Sequence, residues 1–132
     1  MVAERYAEGL WKVTTTTDRT TALRGADYIV NCIEVNGMAA VRPDYDIPLK
    51  YGIDQCIGDT IGPGGLFKAL RTIPTWLEVL EDVGEICPEA IVLNYTNPMV
   101  MMCQAAAWTT DARTIGLCHS VQGTSNLLAR RV

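Results

Sequence analysis

Apolar positions along the chain fall into two patterns: short continuous runs of strand length, and longer stretches spaced at three and four residues. Trp11 to Thr15 is a short β-rich run. Asp18 is placed to cap a brief helix through Leu23, which Gly25 would end. Ala26 to Ile33 (ADYIVNCI) is nearly continuous in apolar residues, as a central parallel strand should be, and Val35 to Met38 reads as the loop at its C-terminal edge. Asp44 to Tyr51 is expected to be helical and is followed by a glycine-rich loop, Gly58 to Gly65. From Leu66 to Val83 the apolar positions Leu66, Leu70, Ile73, Leu77 and Leu80 keep helical spacing, with Pro74 expected to kink or divide the helix. Ala90 to Tyr95 is a second strand, followed by Thr96-Asn97-Pro98 and a Met- and Ala-rich helix to about Trp108. Thr114 to Leu117 is a third strand, and Gln122 to Arg131 a final helix.

Strands alternating with helices imply an α/β fold, a doubly wound parallel sheet with helices on both faces. Such a domain normally opens with a strand, a G-x-G-x-x-G turn and a helix whose N-terminus receives a pyrophosphate. No such motif occurs here, and Gly58 to Gly65 does not supply it because no strand precedes it. The expected architecture is therefore a partial Rossmann-like fold, with the first strand and phosphate loop lying before Met1. No repeat, low-complexity tract or linker divides the chain.

Composition narrows the function classes. The 132 residues are 48% hydrophobic and 20% charged, with a formal net charge of −4 and no long basic run. Nucleic acid is not expected as a partner, because phosphate binding needs clustered Lys and Arg. No apolar stretch approaches the roughly 20 residues that cross a bilayer, so no membrane partner is expected. Met1 to Leu10 carries Glu4, Arg5 and Glu8 and has no apolar signal core, which makes the cytoplasm the expected location. Five cysteines, an odd count without C-x-x-C spacing, fit free thiols in a reducing compartment.

Parallel strands open their C-terminal ends onto one edge, where ligands bind. The loops that should meet there contain Glu34-Val35-Asn36-Gly37, Thr96-Asn97-Pro98 and Cys118-His119-Ser120. Cys118 beside His119 is a candidate metal site, since thiolate and imidazole bind divalent transition ions. It is also readable as a nucleophile, although adjacent residues on extended backbone point apart, or as a small buried residue beside a surface histidine. Asn97 before Pro98 makes a rigid turn, which starts a helix, presents an amide to ligand, or does both. Asp59 either orients a catalytic group or forms a turn. Arg42 is a solvated charge or a substrate anchor.

Four motifs in order carry a resemblance: I-G-D-T-I-G-P-G-G (Ile57 to Gly65), A-L-R-T-I-P (Ala69 to Pro74), L-N-Y-T-N-P-M (Leu93 to Met99) and G-L-C-H-S-V-Q-G-T (Gly116 to Thr124). Together they resemble family 4 glycoside hydrolases, most closely the α-galactosidase (melibiase) type, whose relatives act on α-glucosides and α-uronides. The resemblance runs from about Val13 to Arg130. It implies a dinucleotide-binding domain related to lactate and malate dehydrogenases, with a C-terminal domain that is absent here, so that residues 1–132 form part of the NAD-binding domain. It also implies a mechanism outside the two-carboxylate scheme of most glycosidases. NAD takes hydride from carbon 3 of the sugar, and a tyrosine removes the acidified proton on carbon 2. The glycosidic oxygen is eliminated, water adds, and the hydride returns, while a divalent metal such as manganese acts as Lewis acid.

Carried onto this chain, the resemblance gives Cys118 the role of metal-binding cysteine and places His119 where the phosphoglycosidase branch has its proposed acid. Asn97 matches an asparagine that binds sugar hydroxyls, and Arg42 lies near a substrate-binding arginine. Asp59 resembles the acidic residue that raises the basicity of the tyrosine. The loop with Ile33, Val35 and Asn36 resembles the one passing the nicotinamide side of NAD. The second metal ligand is a histidine that this chain lacks, because His119 is its only one. The catalytic tyrosine and the phosphate loop are missing too. The expected function is NAD-dependent hydrolysis of a small-molecule α-glycoside by an enzyme of which this chain is an incomplete, inactive segment. The full-length enzyme is expected to be a homo-oligomer. The alternatives are a segment of a lactate- or malate-type dehydrogenase and a non-catalytic remnant domain. A sheet lacking its first strands should also expose an apolar edge and self-associate.

Overall fold

The computed structural model describes residues 12–55, 58 and 60–131. Residues 12–16 form no strand, and Trp11 lies outside the described residues, so the β-rich run expected there is not an element of the sheet. Helix α1 (Arg19–Leu23) starts as its sequence requires. Asp18 accepts a hydrogen bond from the Thr20 N–H at 3.1 Å, and Gly25 follows at φ +70°. Strand β1 (Tyr28–Asn31) is half the length of the apolar run that announces it.

Helix α2 (Gly37–Leu49) begins seven residues before the expected Asp44 and contains Pro43 and Pro48. The chain enters it through Asn36 at φ 63°, a left-handed conformation that asparagine tolerates. Helix α3 (Pro63–Ile86) is continuous through Pro74, which is exposed and forgoes only its own backbone bond to Leu70. Its start is set by Gly62 at φ +93° with Pro63 at the first helical position. Then come β2 (Ile91–Asn94), α4 (Met99–Thr109), β3 (Arg113–Gly116) and α5 (His119–Ala129).

The buried face of α3 is a correction to the periodicity reading. Leu66 and Leu70 are 50% and 65% exposed, whereas Gly65, Ala69, Thr72, Trp76, Leu80 and Val83 are buried. Both stripes have helical spacing, and the one with small residues wins because it lets α3 approach its neighbours closely. A Cβ on Gly64 would stand 2.9 Å from the Asp44 carbonyl oxygen of α2. The Trp76 indole N–H donates to the Met102 carbonyl at 3.0 Å, tying α3 to α4.

The three strands are parallel in the order β1-β2-β3, so β2 is central and β1, expected in the middle, forms one side of this sheet. Val92 and Ile29 face the core built from Trp76, Leu80, Met102 and Ala106. The alternate side chains Tyr28, Val30 and Ile115 point the other way and remain exposed.

Candidate functional site

Register brings the ends of the strands together. Asn31, Asn94 and Gly116 are aligned across the sheet, so the loops that follow them leave from one edge. That edge is locked by side chains. The Asn31 amide donates to Asn94 Oδ1 at 2.8 Å and to the Thr96 hydroxyl at 3.0 Å. The Thr96 hydroxyl also accepts from the Ile33 N–H at 2.9 Å, joining the loop after β1 to the loop after β2. Asn94 Oδ1 accepts from the Thr96 N–H and Asn94 Nδ2 donates to the Thr96 carbonyl, both at 3.1 Å. Asn31, Asn94 and Thr96 are all buried, so each polar atom needs its partner.

Each expected site residue except Asp59 has a definite place. Ile33 and Val35 are half-buried and Asn36 exposed in the loop leaving β1. Asn97 stands three residues beyond Asn94 and accepts from the Met99 N–H at 3.3 Å, with a cis bond to Pro98. The turn begins a helix, as its sequence suggested, with Pro98 as the N-cap and Met99 as the first residue of α4. Cys118 is half-exposed on extended backbone two residues beyond Gly116, and His119 is the exposed first residue of α5. Hydrogen bonds from the Ser120 side chain and backbone hold the Cys118 thiol below the ordinary thiol range, favouring the thiolate that either metal binding or nucleophilic attack requires. Arg42 points into solvent from the middle of α2, 84% exposed, and pairs with Asp46 one turn away at 3.3 Å. Asp59 lies outside the described residues.

Motif reading missed a cluster of charges beside the first loop. Lys68 Nζ is 2.7 Å from a carboxylate oxygen of Glu34. Arg71 grips Asp44 with both terminal nitrogens, at 3.1 and 2.7 Å. Asp44 raises the affinity of that guanidinium for its proton. The group ties the loop after β1, helix α2 and helix α3 around a cavity of about 220 Å³ lined by Glu34, Met38, Val41, Asp44, Tyr45, Gly58, Gly64 and Lys68. One signal was available: Lys68 and Arg71, three apart on α3, border its buried stripe.

The fit of a metal and of NAD is uneven. Among the described residues no group of three or more His, Cys, Asp or Glu side chains could hold a metal ion. Cys118 supplies a single ligand, and hard divalent cations need several. Gly64 and Gly65 are not a pyrophosphate cradle, because Cβ atoms there would meet the protein's own backbone at Asp44, Gly58 and Thr60. These glycines serve packing. The loop from Ile33 to Asn36, at the open end of a parallel strand, suits the edge of a bound cofactor.

Comparison with known proteins agrees with this architecture. The family model for family 4 glycosyl hydrolases matches residues 2–132. An α-galactosidase of Rhizobium meliloti (strain 1021) is 50% identical over 112 residues, 84% of this chain and 23% of that protein. An α-galactosidase of Bacillus subtilis (strain 168) is 48% identical over 106 residues, 80% of this chain and 24% of that protein. The 6-phospho-β-glucosidase of Thermotoga maritima, solved with manganese, NAD+ and glucose-6-phosphate, superposes with a TM-score of 0.84 at 27% identity, covering 97% of this chain and 31% of that one. The chain thus spans about a quarter of the length of the curated relatives it matches. With matching motifs, a parallel sheet and a family model that covers nearly every residue, the chain belongs to glycosyl hydrolase family 4.

Proposed function

We propose that this chain is part of the NAD-binding domain of an α-galactosidase working by oxidation, elimination, addition and reduction, and that alone it is catalytically incomplete. The observation that carries this reading is the alignment of Asn31, Asn94 and Gly116, which sends the loops bearing Asn36, Asn97 and Cys118 from one edge. The two α-galactosidases at 50% and 48% identity support the sugar.

In family 4 chemistry NAD is the reversible hydride acceptor and a divalent metal the Lewis acid. The residues of this chain bind and orient. The buried Asn31–Asn94–Thr96 group fixes the spacing of the first two loops, so that Asn97 presents its amide to sugar hydroxyls from a rigid turn. Cys118 offers a sulfur ligand at the third loop, its thiol pKa lowered by the Ser120 hydrogen bonds. Arg42 would anchor substrate from the exposed side of α2, where it pairs with Asp46. We further assign the protein to the cytoplasm, where the free thiols at Cys32, Cys87, Cys103 and Cys118 would stay reduced.

The test has two arms. The 132-residue chain, given NAD, Mn2+ and nitrophenyl α-glycosides, should release no nitrophenol above the blank; NAD-dependent release would overturn its incompleteness. The matched residues should also be exchanged into the Rhizobium meliloti α-galactosidase. The hybrid should keep NAD-dependent hydrolysis of the α-galactoside, and a preference for the α-glucoside or α-galacturonide would overturn the assignment of the sugar.

A further inference from the structure

We infer that Lys68 is a positioning residue for the bound cofactor: through its ion pair with Glu34 it holds the loop after β1, residues 32–36, in the shape that receives NAD. The inference rests on the reading of that loop as the cofactor's neighbour. It adds a residue of another helix, outside the loop, that sets how tightly the cofactor binds.

The loop changes direction within a few residues. It leaves β1 at Asn31 and enters α2 at Gly37, passing through Asn36 at φ 63°. Its own closure is a backbone bond from the Gly37 N–H to the Glu34 carbonyl at 3.4 Å. Among the described residues, side chains of other segments tie it at Ile33 and at Glu34. The Thr96 hydroxyl accepts from the Ile33 N–H at 2.9 Å, and the Glu34 carboxylate reaches α3. Val35 and Asn36 lie between that second tie and α2, so their place follows Glu34.

Of the two cations near Glu34, Lys68 is the one that holds it. Lys68 Nζ stands 2.7 Å from one carboxylate oxygen, whereas the Arg71 nitrogen is 3.9 Å from the other. Arg71 is already committed to Asp44, which it grips at 3.1 and 2.7 Å. The cluster thus divides into two fastenings. Arg71 and Asp44 join α3 to α2, and Lys68 and Glu34 join α3 to the loop. The Lys68 side chain is 12% exposed and that of Glu34 34%, so water and salt screen this pair less than one on the open surface. Without the lysine the carboxylate would stay partly covered and unpaired. Its relief is to turn out into water, and the loop backbone goes with it.

The Rhizobium meliloti α-galactosidase carrying the matched residues supplies a complete cofactor site for the test. Fluorescence titration reads its affinity for NADH without sugar, and nitrophenyl α-galactoside hydrolysis reads its NAD requirement and kcat. Lys68→Met should raise the NADH dissociation constant and the NAD concentration for half-maximal activity about tenfold. At saturating NAD, kcat should stay within about threefold. Lys68→Arg, which keeps the charge, should restore affinity to within about threefold. Adding Glu34→Gln to Lys68→Met should change affinity by no more than about twofold, because the second change removes a partner already lost. A lysine that serves folding alone would lower the active fraction, so that kcat falls with NADH affinity unchanged; that result would overturn the inference. Additive losses in the double variant would overturn it too, because Lys68 would then act independently of Glu34. Should circular dichroism show Lys68→Met unfolded, Glu34→Gln carries the same titration, with weakened NADH binding expected and unchanged binding contradicting the role. An unsubstituted hybrid that neither binds NADH nor needs NAD would overturn the reading of the chain itself. A hybrid that does both, with Lys68→Met unaltered in affinity, overturns this inference alone.

Discussion

Asn31 and Asn94 face each other at the last register position of β1 and β2, the amide nitrogen of one 2.8 Å from the amide oxygen of the other, both shut away from water. Two polar side chains at the end of an otherwise apolar sheet are costly unless fully paired. Here the pairing reaches on to Thr96 and Ile33 and makes the edge a rigid frame for the loops.

Asn94→Ala should therefore destabilise the chain by about 2–4 kcal/mol, because the Asn31 amide and the Thr96 N–H lose an acceptor while remaining buried. Urea unfolding measures this directly. A loss well under 1 kcal/mol would show that the amides do not hold the edge together.

Arg71 and Asp44 should behave as a pair. Arg71→Met leaves the buried Asp44 carboxylate without its two hydrogen bonds and should cost about 3 kcal/mol. Adding Asp44→Leu should return part of that loss, since an apolar pair avoids the desolvation of two charges. Stability losses that simply add in the double variant would count against direct coupling.

Gly116 ends β3 where α4 comes closest. A Cβ at this position would overlap the Met99 sulfur and lie 2.7 Å from the Cys103 sulfur. Gly116→Ala should cost about 1–3 kcal/mol through overpacking. Combining it with Cys103→Ala and Met99→Ala should return much of the loss relative to that double variant alone. Thermal or urea unfolding of the series reads both effects.

The thiols should separate by pH. Cys118 is lowered by its Ser120 hydrogen bonds, whereas burial raises Cys87 and Cys103. The thiolate is the reacting form, so iodoacetamide should modify Cys118 at lower pH than Cys87 or Cys103, and Ser120→Ala should move its profile upward. Site-resolved mass spectrometry of the alkylated chain gives the profiles. Earlier labelling of Cys103 or Cys87 would contradict the assigned environments.

Much of this architecture was legible without coordinates. Asp18 followed by a short helix and Gly25, the apolar runs before Asn31 and Asn94, and the T-N-P turn before a Met-rich helix are local signals, and local hydrogen bonding answers them. The four ordered motifs were sufficient to point to the family because each ties particular residues to neighbours a few positions away. The position of Cys118, Asn97 and Asn36 at one edge followed from strand direction alone.

Tertiary structure alone decided which side of α3 is buried, which strand is central, and which charges meet. Leu66 and Leu70 fit the helical period as well as Ala69 and Trp76 do, and only the approach of α2 and α4 chose between the two stripes. Arg71 stands in the A-L-R-T-I-P motif and Glu34 in the loop after β1, but nothing local pairs them with Asp44 and Lys68: the pairs join residues 27 to 37 positions apart. Periodicity is a property of one element, whereas close packing and burial of charge depend on the partner that arrives from elsewhere in the chain.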